Sequence, residues 1–195
     1  MNSGFMRCPG KMQRVLLPAI LSTLFLLAAQ AQQRHGALSV SFPEHSRAVS
    51  PDGRYAIAGV DSDTEPYHTV FLEDRQLMTR RKLFNYDRSI DLLWNPNSKS
   101  FALADRAGSD ISRCSIVSVD KRVPTVDVWE KLVKAVDPDE QKNLLANHHV
   151  YIAATEWPDS DKLRVKVWGY GDVNPSGLTR FYIYDTHQRF SRDKR

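Results

Sequence analysis

Apolar and polar side chains alternate in a series of short runs, each closed by turn-forming residues. Runs at 54–59, 67–73, 76–84, 89–94, 100–105 and 113–119 are rich in β-branched and aromatic residues and read as antiparallel strands, with a weaker alternation at 37–42. Strand character returns at 150–157, 163–168 and 178–184. In the middle of these, Leu163, Val165 and Val167 alternate with Arg164, Lys166 and Trp168, which makes one face apolar and the other wet. The period changes once. Trp129, Leu132, Val133 and Val136 fall at helical spacing, and Asp127 and Asp137 each precede an acidic first turn as N-caps, with Pro138 at a first helical position. These signals predict two short helices, about 128–136 and 138–146, as an insert at about 127–146 between strand-forming regions.

One element of the pattern repeats. Val49-Ser50-Pro51-Asp52-Gly53-Arg54-Tyr55-Ala56-Ile57 returns as Trp94-Asn95-Pro96-Asn97-Ser98-Lys99-Ser100-Phe101-Ala102, with the prolines 45 residues apart. Both copies are Pro-, Asp-, Asn- and Gly-rich turns that feed an alternating strand. Trp157-Pro158-Asp159-Ser160-Asp161-Lys162-Leu163 is a more degraded third copy, its proline 62 residues beyond Pro96, and the surplus matches the helical insert. A period near 45 is that of stacked four-stranded units. These turns resemble the W-S-P-D-G-K turn of WD40-like β-propeller repeats, such as those of the periplasmic propeller of the Tol-Pal system. The resemblance covers the turns at 50–57 and 94–103. It implies a mainly β fold of antiparallel, four-stranded, propeller-like sheets in two to three repeat units, and a platform for protein partners rather than a shared chemistry. Two to three sheets fall short of the four to eight of closed propellers. That leaves three architectures open: sheet edges covered by the helices, a homo-oligomer that completes a ring, or a sandwich with propeller-like hairpins.

Residues 1–31 read as a secretory signal: Arg7, Lys11 and Arg14 precede a nearly continuous apolar run, and Ala29-Gln30-Ala31 offers a cleavage site. The expected mature chain starts at Gln32, is periplasmic or extracellular, and inserts in no membrane stably. The full chain has 27 Lys+Arg against 23 Asp+Glu, and the three basic residues of the signal account for most of that excess. A near-neutral remainder argues against a nucleic-acid surface, for which Arg80-Arg81-Lys82 and the basic stretch at 189–195, read as a disordered tail, are too short. The domain organisation expected is therefore a signal at 1–31, one β-rich domain at 32–188 and the tail. Cys114 is the one cysteine beyond the signal and alternates with Ile116, as a buried thiol would.

No spacing in the sequence specifies a reaction. There is no H-E-x-x-H, C-x-x-C, Gly-rich phosphate loop or G-x-S-x-G, and no cofactor or metal is expected. Asp61, Asp63 and Glu65 lack the glycine and distal glutamate of a calcium loop, and the adjacent His148 and His149 would face opposite ways in a strand. Two surfaces are candidates for contacting a protein or cell-envelope partner. The first is the loop carrying Asp105, Arg106, Ser109 and Asp110, whose charges could equally satisfy one another. The second is Trp168, Tyr170 and Asp172, where aromatic side chains on a wet face could anchor a partner or pack on neighbouring strands. The reading is an exported, non-catalytic binding protein. Its rivals are a small exported hydrolase using carboxylates among Asp105, Asp110, Asp159 and Asp172, and a subunit that works only as an assembly.

Overall fold

The structure, a computed structural model, describes residues 39–120, 126–186 and 189–193. The export signal read at 1–31 lies outside the described residues. The described residues form strands β1 (Val40–Phe42), β2 (Arg47–Val49), β3 (Tyr55–Val60), β4 (His68–Asp74), β5 (Thr79–Tyr86), β6 (Ile90–Trp94), β7 (Ser100–Asp105), β8 (Arg113–Ser118) and β9 (Val126–Asp127). Helices α1 (Val128–Ala135) and α2 (Pro138–Leu145) follow, then β10 (His149–Asp159), β11 (Lys162–Tyr170), β12 (Leu178–Asp185) and β13 (Arg189–Asp193). Three antiparallel sheets result, in the orders β2-β3-β4-β5, β1-β6-β7-β8-β9 and β10-β11-β12-β13. The fold is mainly β with a two-helix insertion, as the periodicity implies. Asp127 and Asp137 cap the helices by accepting the Glu130 and Glu140 backbone N–H, each at 2.9 Å.

The second sheet lies between the other two, which explains its sequence. Leu92, Trp94, Phe101, Leu103 and Val117 face the first sheet and pack with Ile57, Val70, Leu72 and Phe42. Leu93, Ala102, Cys114 and Ile116 face the other way, onto Val128, Leu132 and Leu144 of the helices and Ile152, Leu163, Val165 and Tyr182 of the third sheet. Strands buried on both faces read as near-continuous apolar runs, whereas β11 has one outer face and alternates.

The repeated turns adopt the same backbone. Gly53 N–H donates to the Ser50 carbonyl and Ser98 N–H to the Asn95 carbonyl, both at 2.9 Å, and Gly53 and Ser98 share a left-handed φ of 73° and 61°. Asp52 and Asn97 each accept the backbone N–H two residues on, as does Asp159 in the third copy. The turns also tie sheet to sheet. Asp52 N–H donates to Ser98 Oγ at 3.0 Å, and Asn95 Nδ2 donates to the Ser160 carbonyl at 2.9 Å. The indoles repeat the device: Trp94 Nε1 reaches the Ala48 carbonyl and Trp157 Nε1 the Leu93 carbonyl, both at 3.2 Å.

Two segments depart from the expectation. The alternating run at 37–42 precedes the strands of the first sheet in sequence, yet its strand β1 joins the second sheet beside β6, with Phe42 opposite Ile90 and fully buried. The edge place beside β3 in the first sheet goes to β2, three residues whose pattern is too short to read. The basic tail expected to be disordered instead supplies β13, paired with β12 along its length. Only Phe190 in it is apolar, so its signal is hidden by charge; that ring packs 4.8 Å from Tyr184, and Asp193 takes the Arg164 Nε at 2.8 Å.

Candidate functional site

At the end of the sheets remote from the proline turns, the β7–β8 loop at 106–112 runs beside the start of β10. Ile111 bridges Val150 in parallel, Val150 N–H donates to the Asp110 carbonyl at 3.0 Å, and Ser112 N–H donates to the Val150 carbonyl at 3.2 Å. Ser112 Oγ donates to the Ile152 carbonyl at 3.0 Å and accepts the Ile152 N–H at 2.8 Å. The loop thus satisfies the β10 edge and is fixed in place by buried bonds.

Cross-strand register then assembles an aromatic surface. His149 lies opposite Tyr170 and Tyr151 opposite Trp168, all on the outer face of the third sheet. The first pair stacks with ring centroids 4.2 Å apart and the second 5.5 Å apart, and the Lys166 ammonium sits 5.0 Å from the Trp168 ring. Tyr151 donates its hydroxyl to the Ser109 carbonyl at 2.6 Å, and His149 Nδ1 meets Asp110 Oδ1 at 3.2 Å. Burial, then the neighbouring Tyr170, pushes the Tyr151 phenol above its ordinary value. A cleft of about 150 Å³ opens between Arg106, Gly108, Ser112, Tyr151 and Trp168. Around it Ile111, Tyr170 and Val173 are 44%, 48% and 58% exposed.

The two candidate surfaces therefore adjoin each other, through side chains that the sequence did not single out. Arg106, Ser109 and Asp110 lie on the loop, and Trp168 and Tyr170 on β11. Asp172, in the β11–β12 connection, meets His148 Nε2 at 2.9 Å. His148 and His149 do diverge, each to its own aspartate. Asp105 stands apart, since its strand register turns it to the face shared with the first sheet while Arg106 pairs with Asp91 at 2.5 Å on the other. Burial, then the nearby Asp87, raises the Asp105 carboxyl against the opposing pull of Arg113. Tyr151, Ile111 and Lys166 are not among the candidates read from the sequence, and His149 is weighed there only as a metal ligand beside His148. Alternation of His149 and Tyr151 in one strand was visible, but their partners depend on a register that no single sequence displays.

The carboxylates weighed for hydrolysis do not converge on one cleft. Asp159 belongs to the turn at the far end of the β10–β11 hairpin, about 30 Å from His149 at strand rise. Asp110 and Asp172 are solvated and each paired with a histidine. Among the described residues no three His, Cys, Asp or Glu side chains are grouped to hold a metal ion. Asp61 instead meets His68 Nδ1 at 2.6 Å.

A solved structure with similar coordinates is the β-propeller domain of the Trilobed protease from Pyrococcus furiosus, described as revealing an open velcro topology; it aligns at a TM-score of 0.52 and 14% identity over 76% of this chain and 42% of that one. The sheets are propeller-like. At that identity the likeness is one of fold alone, and the chain spans about two-fifths of the neighbour's length. No family model and no curated protein matches the chain. In a propeller-like arrangement the site occupies one end of the third sheet, and the repeated turns occupy the other.

Proposed function

We propose that the chain is an exported, non-catalytic binding protein whose WD40-like repeats hold a partner-recognition surface, formed by the β7–β8 and β11–β12 loops, toward a protein or cell-envelope component. The observation that carries this reading is the concentration of exposed Ile111, Tyr170 and Val173 around the Trp168–Tyr151 stack, on backbone already fixed by the Ser112 and Tyr151 hydrogen bonds. Aromatic anchors beside an arginine, in a setting that loses little freedom on binding, are what interface hot spots require. The signal-like sequence at 1–31 supports a partner outside the cytosol, and the first check is fractionation of the expressing cells with sequencing of the mature amino terminus, expected at Gln32.

The binding surface is tested by a photo-crosslinking residue placed at Val173 or, as the control, at Lys99 on the proline-turn end. A discrete adduct from position 173 that is absent from position 99 and lost in Trp168→Ala is expected. No adduct at 173, or one indifferent to Trp168→Ala, would overturn the assignment.

A further inference from the structure

The most exposed apolar side chains among the described residues lie at the other end, on the β4–β5 hairpin. Leu77 and Met78 are 65% and 87% exposed at its tip. They sit within Arg75-Gln76-Leu77-Met78-Thr79-Arg80-Arg81-Lys82, eight residues with four positive charges and no acid. The tip is held rigidly. Asp74 Oδ1 accepts the Gln76 and Leu77 N–H at 3.0 Å each, Arg75 N–H donates to the Arg54 carbonyl at 2.8 Å, and Met78 adopts a left-handed φ of 54°. A side chain other than glycine rarely accepts that conformation, and here it projects two apolar groups into water from a fixed turn.

The cations beside the tip are incompletely neutralised. Arg75 Nη1 donates to the Gly53 carbonyl at 2.8 Å and has no carboxylate partner among the described residues. Arg80 lies 3.8 Å over the Phe71 ring and shares Glu73 with Arg47, which holds that carboxylate more closely, at 2.5 Å against 3.8 Å. Lys82 lies 5.8 Å over Tyr67. A depression of about 460 Å³ lined by Arg47, Glu73, Asp74, Arg75, Met78, Thr79 and Arg80 adjoins the tip; its two carboxylates are engaged by Arg47, Arg80 and Arg54, which leaves Arg75 as a cation in excess.

We infer that this hairpin tip is a peripheral docking point for an anionic lipid surface. Leu77 and Met78 enter the boundary between headgroups and acyl chains, and the forked guanidinium groups of Arg75 and Arg80 take lipid phosphates. An acidic protein would satisfy the arginines but gives no comparable reason for two apolar side chains to lead. The contact is reversible and spans nothing.

The test is local. In the full chain carrying Cys8→Ser, Met78→Cys is labelled with an environment-sensitive fluorophore, and Cys114, fully buried, stays unlabelled. Phosphatidylglycerol-containing vesicles are expected to shift the probe to the blue, pure phosphatidylcholine vesicles not to, and high salt to reverse the shift. Arg75→Gln with Arg80→Gln should weaken vesicle binding about thirty-fold, and circular dichroism checks that this surface double variant remains folded. The inference is overturned by no shift at position 78, by an equal response to neutral vesicles, or by unchanged affinity in the double variant. A shift produced by polyglutamate and not by vesicles would assign the tip to a protein partner and overturn it as well.

Discussion

Asn95 joins the repeat to the stacking of the sheets, so its replacement measures how much the repeated turn contributes. It is almost fully buried, its Oδ1 accepts the Asn97 N–H at 3.0 Å, and its Nδ2 donates to the Ser160 carbonyl at 2.9 Å, linking the second sheet to the third. Asn95→Ala deletes both partly buried bonds and leaves the Asn97 N–H and the Ser160 carbonyl without these partners. At about 1–2 kcal/mol for each, the loss is about 2–4 kcal/mol. For a domain of this size that lowers the melting temperature by about 5–15 °C. Asn95→Ser, which copies the Ser50 of the first turn, is too short to reach Ser160 and should lose about half as much. Asn95→Asp keeps the acceptor for Asn97 but turns a carboxylate toward the Ser160 carbonyl. Its folded pKa is therefore raised, since only the protonated acid can donate; that variant is most stable below the ordinary carboxylate value and loses stability as pH rises through the folded one. Urea unfolding at two pH values reads all three. Asn95→Ala within about 0.5 kcal/mol of the parent, or Asn95→Asp equal to it at neutral pH, would refute the structural role of the repeated turn.

Two further outcomes are expected. Gly169 lies opposite Val150, and a Cβ there would collide with the His149 carbonyl oxygen, so Gly169→Ala should cost about 2–3 kcal/mol and disturb the His149–Tyr170 stack, while Gly108→Ala, with 3.8 Å of room, serves as a neutral control; equal melting temperatures for the two would contradict the register. Burial pushes the Tyr86 phenol and the Cys114 thiol each to about 12, and burial followed by Glu140 pushes Tyr182 upward too. Groups raised in the fold stabilise it fully below their unfolded values and lose that contribution as pH climbs through the folded ones. The urea midpoint should therefore fall from about pH 9, where the unfolded thiol ionises, to about 12, and fall less steeply above about pH 10 in Tyr86→Phe; a flat midpoint across that range would contradict the burial of these groups.

What could be read from the residues was whatever local geometry dictates. The turn at 50–55 announces itself because a left-handed position, a side-chain acceptor just before it and a following alternating strand must all fall at fixed offsets, and the copy 45 residues on meets the same demands with Ser98 in place of Gly53. The helices were legible for the same reason, through Asp127, Asp137 and Pro138. Sheet membership of β1 and β13 was not, because it depends on which distant edge remains unpaired: Phe42 is placed by Ile90, and Phe190 by Tyr184. The site was half legible. Its loops were visible as polar breaks containing Arg106 and Asp110, but Tyr151 and His149 join it only through the pairing of β10 with β11.

The distribution of the ties between sheets bears on why the partner-recognition surface should gather at the end remote from the proline turns. Asp52–Ser98, Asn95–Ser160, Trp94–Ala48 and Trp157–Leu93 all lie at or beside the proline turns, each joining one sheet to the next through a buried or half-buried hydrogen bond. The proline turns are committed to holding the stack together, and altering one of them would strand a buried donor or acceptor, whereas the β4–β5 tip beside them carries no such tie among the described residues. At the opposite end the β3–β4, β7–β8 and β11–β12 connections are longer than the proline turns, and the β7–β8 loop is fixed to its neighbour through Asp110, Ser112 and the Tyr151 hydroxyl. Side chains such as Ile111, Tyr170 and Val173 can change there without loss to either core, since neither core contains them. A surface free to vary, mounted on a scaffold whose stability is secured elsewhere, is the physical condition for acquiring a partner.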